Sequence, residues 1–294
     1  MSQYCIATFV LTGRAQPTTL IASGEIQGVD LAVYEQLDID NLRSAGPRLV
    51  DSLTELPRVM LELSRLSLAW PLLLSSTKAG DGHPVMVLPG FTAGDESTLA
   101  LRRFLTRLDY KALPWLQGPN TGEPRLIDGI MRRFYRMHQA MGVKISLVGQ
   151  SLGGVYAREI AREFPDRVRC VITLGSPFAA TGGSTSPMVE KLFEHMSGLT
   201  VDEMRAKMPV GNQDPLDMPC TSIYSKEDGV VSWRACIEAE SSLSENIRVM
   251  GSHTGMAMNP DVLKVVADRL GQPEGRWQKF DRSRGCRPWV YPKG

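Results

Sequence analysis

The pattern of hydrophobic and polar positions divides the chain near residue 80. From Pro84 onwards, short apolar runs alternate with longer stretches in which apolar residues recur every three or four positions. The short runs are typical of buried strands, and the longer spacing is typical of helices with one buried face. This alternation predicts an α/β fold in which a mostly parallel central sheet carries helices on both faces. The predicted strands cover 85–88, 110–115, 144–148, 168–174, 220–224 and 247–250, and the predicted helices cover 101–108, 127–141, 152–164 and 262–270.

The chain before residue 80 shows no such alternation. Apolar residues recur there at helical spacing, but Pro57 interrupts them. We therefore expect two short helices, with Pro57 in the first turn of the second one. On this basis residues 1–80 form an N-terminal helical arm or extension, and residues 81–294 form the main domain. The apolar residues at helical spacing are Leu49, Leu53, Leu56, Met60 and Leu63.

The segment Leu66–Leu74 (LSLAWPLLL) is almost wholly apolar. The favoured interpretation is a helical arm packed on the main domain. The alternative is an interfacial patch that makes weak peripheral contact with a membrane or lines a substrate entrance. Low positive charge in the segment argues against strong membrane binding.

Composition narrows the classes of function. The chain has 294 residues, of which 43% are hydrophobic and 22% charged, as in an ordinary globular protein. Its formal net charge of +1 gives no electrostatic reason to expect nucleic acid as a partner. No apolar run approaches the ~18–20 residues needed to span a bilayer, and Met1–Arg14 shows no signal-peptide pattern.

Five scattered cysteines show no C-x-x-C spacing, so neither a metal site nor a disulfide scaffold is predicted. Reduced thiols in the cytoplasm are the expectation. One alternative stays open: Cys220 and Cys236 pair if the protein is exported.

A candidate nucleophile lies where the predicted strand 144–148 turns into the helix from 152. The residues there are Gly149-Gln150-Ser151-Leu152-Gly153-Gly154. Only glycines two positions before and two after leave room for the crossing backbones of so sharp a turn. The turn would lift the Ser151 hydroxyl clear of the sheet and place the Leu152 N–H at a helix N-terminus, where it can hold an oxyanion. A second oxyanion donor is expected from the loop after the first strand, where Phe91 N–H is favoured and Thr92 is the alternative.

A serine hydroxyl needs a base to take its proton and a third group to orient that base. Among the histidines, His253 directly follows the last predicted strand and is the candidate base. The acid should follow an earlier strand end, and the loop 225–229 offers Asp228, with Glu227 as its rival. We favour Asp228 because Gly229 suits a tight turn that brings the carboxylate inward.

Five segments in this order resemble a bacterial lipase and esterase branch of the α/β-hydrolase superfamily: PVMVLPGF (84–91), SLVGQSLGG (146–154), VITLGSPF (171–178), SIYSKEDGVVSW (222–233) and GSHTGMAMNP (251–260). The resemblance covers roughly 80–280 and implies the α/β-hydrolase fold. It assigns the nucleophile to Ser151, the acid to Asp228 and the base to His253, with oxyanion donors at Phe91 and Leu152. Many relatives have His-Gly where this chain has Pro89-Gly90, which leaves the donor geometry intact and bears on the acyl pocket.

The resemblance also implies a helical cap inserted at about 178–219, where the strand rhythm stops. Apolar and Met-rich positions there suit a flexible acyl chain, although they serve equally well as the core of the cap. The candidate substrate-binding residues are Met188, Leu192 and Phe193.

Taken together, the candidates predict a serine carboxylic-ester hydrolase that acts through an acyl-enzyme on a small-molecule ester or lipid-like substrate, with no cofactor or metal. One alternative is an acyltransferase that uses the same three side chains. A less favoured alternative is a non-catalytic binding protein with the same fold.

Overall fold

The computed structural model describes residues 46–179, 183–207, 215–283 and 287–292. In these residues six strands form one sheet in the order β2-β1-β3-β4-β5-β6, and every neighbouring pair is parallel. The parallel sheet predicted from the apolar runs is therefore confirmed. The strands are β1 (Pro84–Leu88), β2 (Lys111–Leu113), β3 (Ile145–Gln150), β4 (Val168–Leu174), β5 (Cys220–Ser225) and β6 (Ser244–Val249).

Helices cover both faces of this sheet. Alternate residues of β1 enter two separate cores: Val85 and Val87 join one, and Met86 and Leu88 join the other. A strand buried on both faces must be apolar throughout, which is why it reads as a continuous run. The helices are α1 (Leu49–Leu53), α2 (Glu55–Ser76), α3 (Leu99–Arg107), α4 (Pro124–Met141), α5 (Leu152–Glu163), α6 (Pro187–Ser197), α7 (Val201–Lys207), α8 (Pro260–Leu270) and α9 (Arg287–Val290), with 3₁₀ turns at Pro165–Arg167, Trp233–Cys236 and Met256–Met258.

The predicted boundaries of β2 and β6 were wrong at both ends. β2 is shorter than the predicted 110–115, since Pro114 has no N–H to donate to a neighbouring strand and the Trp115 N–H bonds to Asp95 instead. β6 starts earlier, at Ser244, and ends before the exposed Met250. Its first three residues, Ser-Glu-Asn, are polar, so the apolar run marks only its second half.

The predicted break between two N-terminal helices is present at Thr54, and Pro57 lies in the first turn of α2. The expectation that both helices are short was wrong for α2, which continues to Ser76 with Pro71 inside it. Leu66 and Leu73 of α2 are buried in the core that also holds α3 and α8, so this part of the arm packs on the main domain. The apolar residues that revealed the helical spacing are exposed instead, because α2 turns polar side chains toward the sheet edge. The exposed set is Leu49, Leu53, Leu56, Met60 and Leu63.

The segment after β4 contributes α6 and α7 above the sheet edge. An antiparallel bridge between Thr185 and Val231 joins it to the loop after β5. The Ser186 N–H donates to Val230 O at 2.8 Å in the same place.

Three cysteines lie in the described residues, and all three are buried free thiols: Cys170, Cys220 and Cys236. The disulfide considered between Cys220 and Cys236 is therefore absent. Cys5 and Cys286 lie outside the described residues. Within the described ranges, each helix is too short or too polar to cross a membrane.

Candidate active site

Three side chains predicted to act together follow the carboxyl ends of three strands. Ser151 follows β3, Asp228 lies in the loop after β5, and His253 lies in the loop after β6. Because all strands are parallel, these ends share one edge of the sheet. Ligands in open parallel sheets bind at this edge.

Ser151 occupies the turn between β3 and α5 with φ 51° and ψ −125°. A positive φ is costly for a residue other than glycine, so the surrounding structure must hold it in place. The Ser151 N–H donates to Leu174 O at 2.8 Å. A side chain on Gly149 would collide with the backbone of Gly153, and one on Gly153 would collide with the carbonyl of Leu88. Glycine at both positions is therefore a steric requirement of the turn.

Asp228 and His253 form a buried pair. His253 Nδ1 lies 2.6 Å from Asp228 Oδ2. The other carboxylate oxygen, Oδ1, accepts the N–H groups of Val230 at 2.9 Å and Val231 at 2.8 Å. Burial, the largest single effect, opposes the charged imidazole, but the charge and hydrogen bond of Asp228 outweigh it and raise the pKa of His253 above 6.5. The two Asp228 oxygens thus differ in role, because Oδ1 holds the loop and Oδ2 orients the imidazole.

Gln150 ties the histidine loop to the serine turn. Its Nε2 donates to His253 O at 3.0 Å and to Thr254 O at 3.2 Å. Ser151 Oγ itself makes no hydrogen bond within the part of the chain that the structure describes. In sites without substrate, the bond between nucleophile and base is often long and tightens only when substrate binds.

Glu227, the rival to Asp228, is engaged elsewhere. Its carboxylate accepts from Arg248 Nη2 at 3.0 Å and from Ser225 Oγ at 3.0 Å. The structure therefore brings Asp228, and not Glu227, to the imidazole.

The loop after β1 lies against Ser151. A Cβ on Gly90 would be 3.2 Å from Ser151 Cβ. The Thr92 N–H is already bonded to Asn120 O at 2.8 Å, so Thr92 is unsuited as an oxyanion donor. The N–H groups of Phe91 and Leu152 have no acceptor among the residues described, which leaves both open to a ligand. Asn120 is fully buried and also donates to Pro89 O at 3.0 Å, so it supports this loop from two sides.

An apolar pocket opens beside Ser151. Phe193 of α6 lines it and meets the Phe91 ring edge-on, with centroids 5.3 Å apart. Met188 and Leu192 do not line it, because they lie on the outer face of α6 and are 78% and 43% exposed. The remaining lining residues are Leu152, Val155, Pro177, Thr185, Val189, Glu190, Val201, Met204, Val230 and Val231.

A second Ser-His-Asp array lies at the opposite end of the sheet. His83 contacts Asp81 through Nδ1 and lies 2.8 Å from Ser146 Oγ through Nε2. Ser146 is fully buried in β3, so no substrate reaches its hydroxyl. Burial lowers the pKa of His83, whereas the pKa of His253 is raised. The two Ser-His-Asp arrays therefore differ in whether a substrate can reach the serine: Ser151 lines a pocket, and Ser146 is buried.

Comparisons with known proteins agree with this architecture. No family model matches the chain, and no curated protein matches it. Among solved structures, lipase B of Aspergillus fumigatus matches with a TM-score of 0.52 and 16% identity. The match covers 66% of this chain and 53% of that one, so the chain spans about half the length of that lipase. EstE1, a thermophilic carboxylesterase from a metagenomic library, matches with a TM-score of 0.49 and 16% identity over 67% of this chain and 82% of that one. The monoacylglycerol lipase of Paleococcus ferrophilus matches with a TM-score of 0.48 and 13% identity over 66% of this chain and 95% of that one. The sheet order and the likeness to lipase B identify the α/β-hydrolase fold.

Proposed function

We propose that this chain, which has the α/β-hydrolase fold, is a serine hydrolase that cleaves carboxylic esters through an acyl-enzyme. Ser151 is the nucleophile, His253 the base and Asp228 the acid that orients it. The observation that carries the proposal is the 2.6 Å contact between His253 Nδ1 and Asp228 Oδ2 at the sheet edge that also bears the strained Ser151.

In the first half of the reaction, His253 Nε2 takes the proton from Ser151 Oγ as that oxygen attacks the ester carbonyl. Asp228 accepts from Nδ1–H, which keeps the Nε2 lone pair facing the serine and stabilises the imidazolium that forms. The imidazolium then gives its proton to the leaving alcohol, and an acyl-enzyme remains. Water activated by His253 releases the acid and restores the serine.

The developing oxyanion is held by the N–H groups of Phe91 and Leu152. Leu152 is the first residue of α5, where the unpaired donors and the positive end of the helix dipole favour negative charge. Removing one donor of such a site typically lowers kcat by about 10²–10³. The support that Asn120 gives to the Phe91 loop keeps that donor in place.

The substrate has an apolar acyl chain. The pocket beside Ser151 is lined mainly by aliphatic and aromatic side chains, with Glu190 as its charged member. That carboxylate accepts the Gly183 N–H at 2.9 Å and the Thr185 N–H at 3.3 Å, so it is occupied by the loop before α6. We assign 178–219 as a cap over the nucleophile and residues 1–80 as an N-terminal extension of the main domain. Phe193, Val189 and Met204 are the proposed acyl contacts.

The central test is hydrolysis of p-nitrophenyl esters of graded acyl length by the wild type and by Ser151→Ala. We expect the variant to lose essentially all turnover above the uncatalysed rate. Ser146→Ala is the matched control, because it removes the serine of the buried array and should retain activity. Undiminished turnover in Ser151→Ala would rule out the proposed nucleophile, and activity limited to short chains would rule out a lipase-like preference.

An acyltransferase would use the same side chains with an alcohol in place of water. Product analysis in water–alcohol mixtures separates the two, because transfer yields a new ester and hydrolysis yields the free acid. A binding protein would give neither product and would still retain apolar ligands in the pocket.

Two further assignments accompany the proposal. We assign the chain to a reducing compartment such as the cytoplasm, because its five scattered cysteines show no spacing typical of a disulfide scaffold. Any peripheral membrane contact of the segment Leu66–Leu74 must use its outer face, where Leu68 is 85% exposed.

A further inference from the structure

Helix α2 turns a polar face toward the loop that carries His253. Glu55, Arg58 and Glu62 are spaced three and four residues apart, so they lie on one side of the helix. Together they bond to backbone groups on both sides of His253 and to the loop that carries Asp228. This face is polar and inward, whereas the apolar residues Leu56, Met60 and Leu63 of the same helix are exposed.

Glu62 is the centre of these contacts. It is only 3% exposed, and its Oε1 accepts the Ser252 N–H at 2.8 Å. Its Oε2 accepts the Ser252 hydroxyl. Asn259 Nδ2 also donates to Oε1 at 3.2 Å. A carboxylate this deeply buried is costly unless each oxygen is bonded, and the Ser252 and Asn259 donors meet that demand.

Two glycines make room for this carboxylate. A side chain on Gly251 or on Gly255 would occupy the space now filled by the Glu62 oxygens. Glu62 therefore fills a recess in the backbone of the histidine loop. The two glycines of the segment G-S-H-T-G (251–255) leave the space that its carboxylate occupies.

The other two residues extend the support. Glu55 Oε1 accepts the Thr254 N–H at 2.7 Å. Arg58 donates to Gly251 O at 3.3 Å and to the carbonyl of Glu227, the residue before the acid. The N–H groups on both sides of His253 are thus bonded to α2.

We propose that Glu62 is a positioning residue, which acts through the backbone of Ser252 to hold His253 in the orientation that serves Ser151. This inference rests on the proposed function, since it assigns the helix a role in that reaction. It also gives the N-terminal extension a purpose: the base is held from one side by Gln150 of the main domain and from the other by α2.

The test compares Glu62→Ala with Glu62→Gln in the full-length chain. Glu62→Ala removes both acceptors, and we expect kcat for p-nitrophenyl esters to fall about 10- to 100-fold with little change in KM, as for a small displacement of a catalytic group. Glu62→Gln should recover most of this loss, because its amide oxygen can still accept the Ser252 N–H while its NH₂ donates to the hydroxyl. Arg65→Gln is the control, because Arg65 attaches the same helix to Asp261 at 2.9 Å without touching the histidine loop.

A second readout does not depend on turnover. The Nδ1 proton of His253, bonded to Asp228, gives a downfield proton NMR signal whose position and pH titration report the geometry of that pair. We expect Glu62→Ala to broaden or shift this signal and Arg65→Gln to leave it unchanged. If Ser151→Ala retains activity, the proposed function fails while this signal still tests the role of Glu62.

Two results would overturn the inference. One is a Glu62→Ala protein with wild-type kcat and a wild-type signal. The other is an equal loss of kcat and of thermal stability in Glu62→Ala and Arg65→Gln, since both then weaken only the attachment of α2. If Glu62→Ala does not fold, Glu62→Asp draws the carboxylate back from the Ser252 N–H and should reduce kcat, and an unchanged kcat and signal there would equally refute the positioning role.

Discussion

The substitution Asp228→Asn tests whether the proposed acid acts by fixing the imidazole tautomer. Both oxygens of the Asp228 carboxylate accept hydrogen bonds, whereas an asparagine amide has only one oxygen that can accept. Asp228 Oδ1 accepts two backbone N–H groups, from Val230 and Val231, so the amide oxygen of an asparagine must take that position. The amide NH₂ is then forced to face His253 Nδ1, which lies 2.6 Å from Oδ2 in the wild type.

Two donors cannot face each other, so the imidazole must change tautomer. Nδ1 becomes the acceptor, Nε2 carries the proton, and Nε2 can no longer take the proton of Ser151. A change of this kind costs about 10⁴-fold in kcat. At about 1.36 kcal/mol per factor of ten, this is roughly 5.5 kcal/mol of transition-state stabilisation. The fold should survive, because both backbone bonds to the asparagine oxygen remain.

The assay is steady-state hydrolysis of a p-nitrophenyl ester by Asp228→Asn, with Glu227→Gln as the matched control. Glu227 faces Arg248 and Ser225, so its variant should stay within about twofold of the wild type, as for a surface substitution away from the site. An Asp228→Asn protein with more than about a tenth of wild-type kcat would refute the tautomer argument. Loss of activity in Glu227→Gln alone would transfer the acid role to Glu227.

Three further predictions follow from the site and the arm. The proposed base, His253, must be neutral to take a proton, and its pKa is raised. The value of kcat/KM should therefore rise with pH, with a midpoint above 6.5. Glu55→Gln should lower that midpoint, because the charge of Glu55 helps to raise the pKa of His253. Val189→Trp should reduce activity on long acyl chains more than on short ones, whereas Met188→Trp, on the outer face of the same helix, should not; equal effects of the two would contradict the assigned pocket. If the outer face of the arm binds lipid, anionic vesicles should co-sediment the wild type and release Leu68→Ser, and a wild type that stays in the supernatant would exclude membrane contact.

Much of the fold was readable from the sequence because parallel strands buried on both faces leave continuous apolar runs. The 144–148 prediction lies within one residue of β3 at its start and two at its end. The start of β6 was missed because its first three residues are polar. They pair with β5 through their backbones and do not extend the apolar run from which the strand was predicted. Pairing between backbones does not depend on the hydrophobicity of the side chains, so a hydrophobic pattern cannot reveal it.

Ser151, Asp228 and His253 could be predicted at one edge of the sheet because each follows the carboxyl end of a parallel strand. The choice of Asp228 over Glu227 depended in addition on Gly229 and on the resemblance to the lipase and esterase branch. The supporting residues could not be predicted the same way. The side chains of Asn120 and Gln150 act through hydrogen bonds to backbone carbonyls that are far away in the chain. The sequence does not distinguish them from other polar residues in loops or at strand ends. Met188 and Leu192 were assigned to the pocket because they share helical spacing with Phe193, but spacing does not say which side of a helix faces inward.

The bonds between α2 and the histidine loop also bear on how the molecule assembles during synthesis. Glu62 and Ser252 are 190 residues apart in sequence, and Glu55 and Thr254 are 199 apart. Contacts this distant in sequence form late, because the intervening chain must first be brought together. Helix α2 is therefore translated long before its polar partners exist, with Glu62 unbonded and the apolar surface of Leu66 and Leu73 still uncovered. Until β6 and the loop after it are made, the nascent chain lacks His253, the residue that we propose as the base, and it also lacks the backbone groups that bond to Glu55 and Glu62.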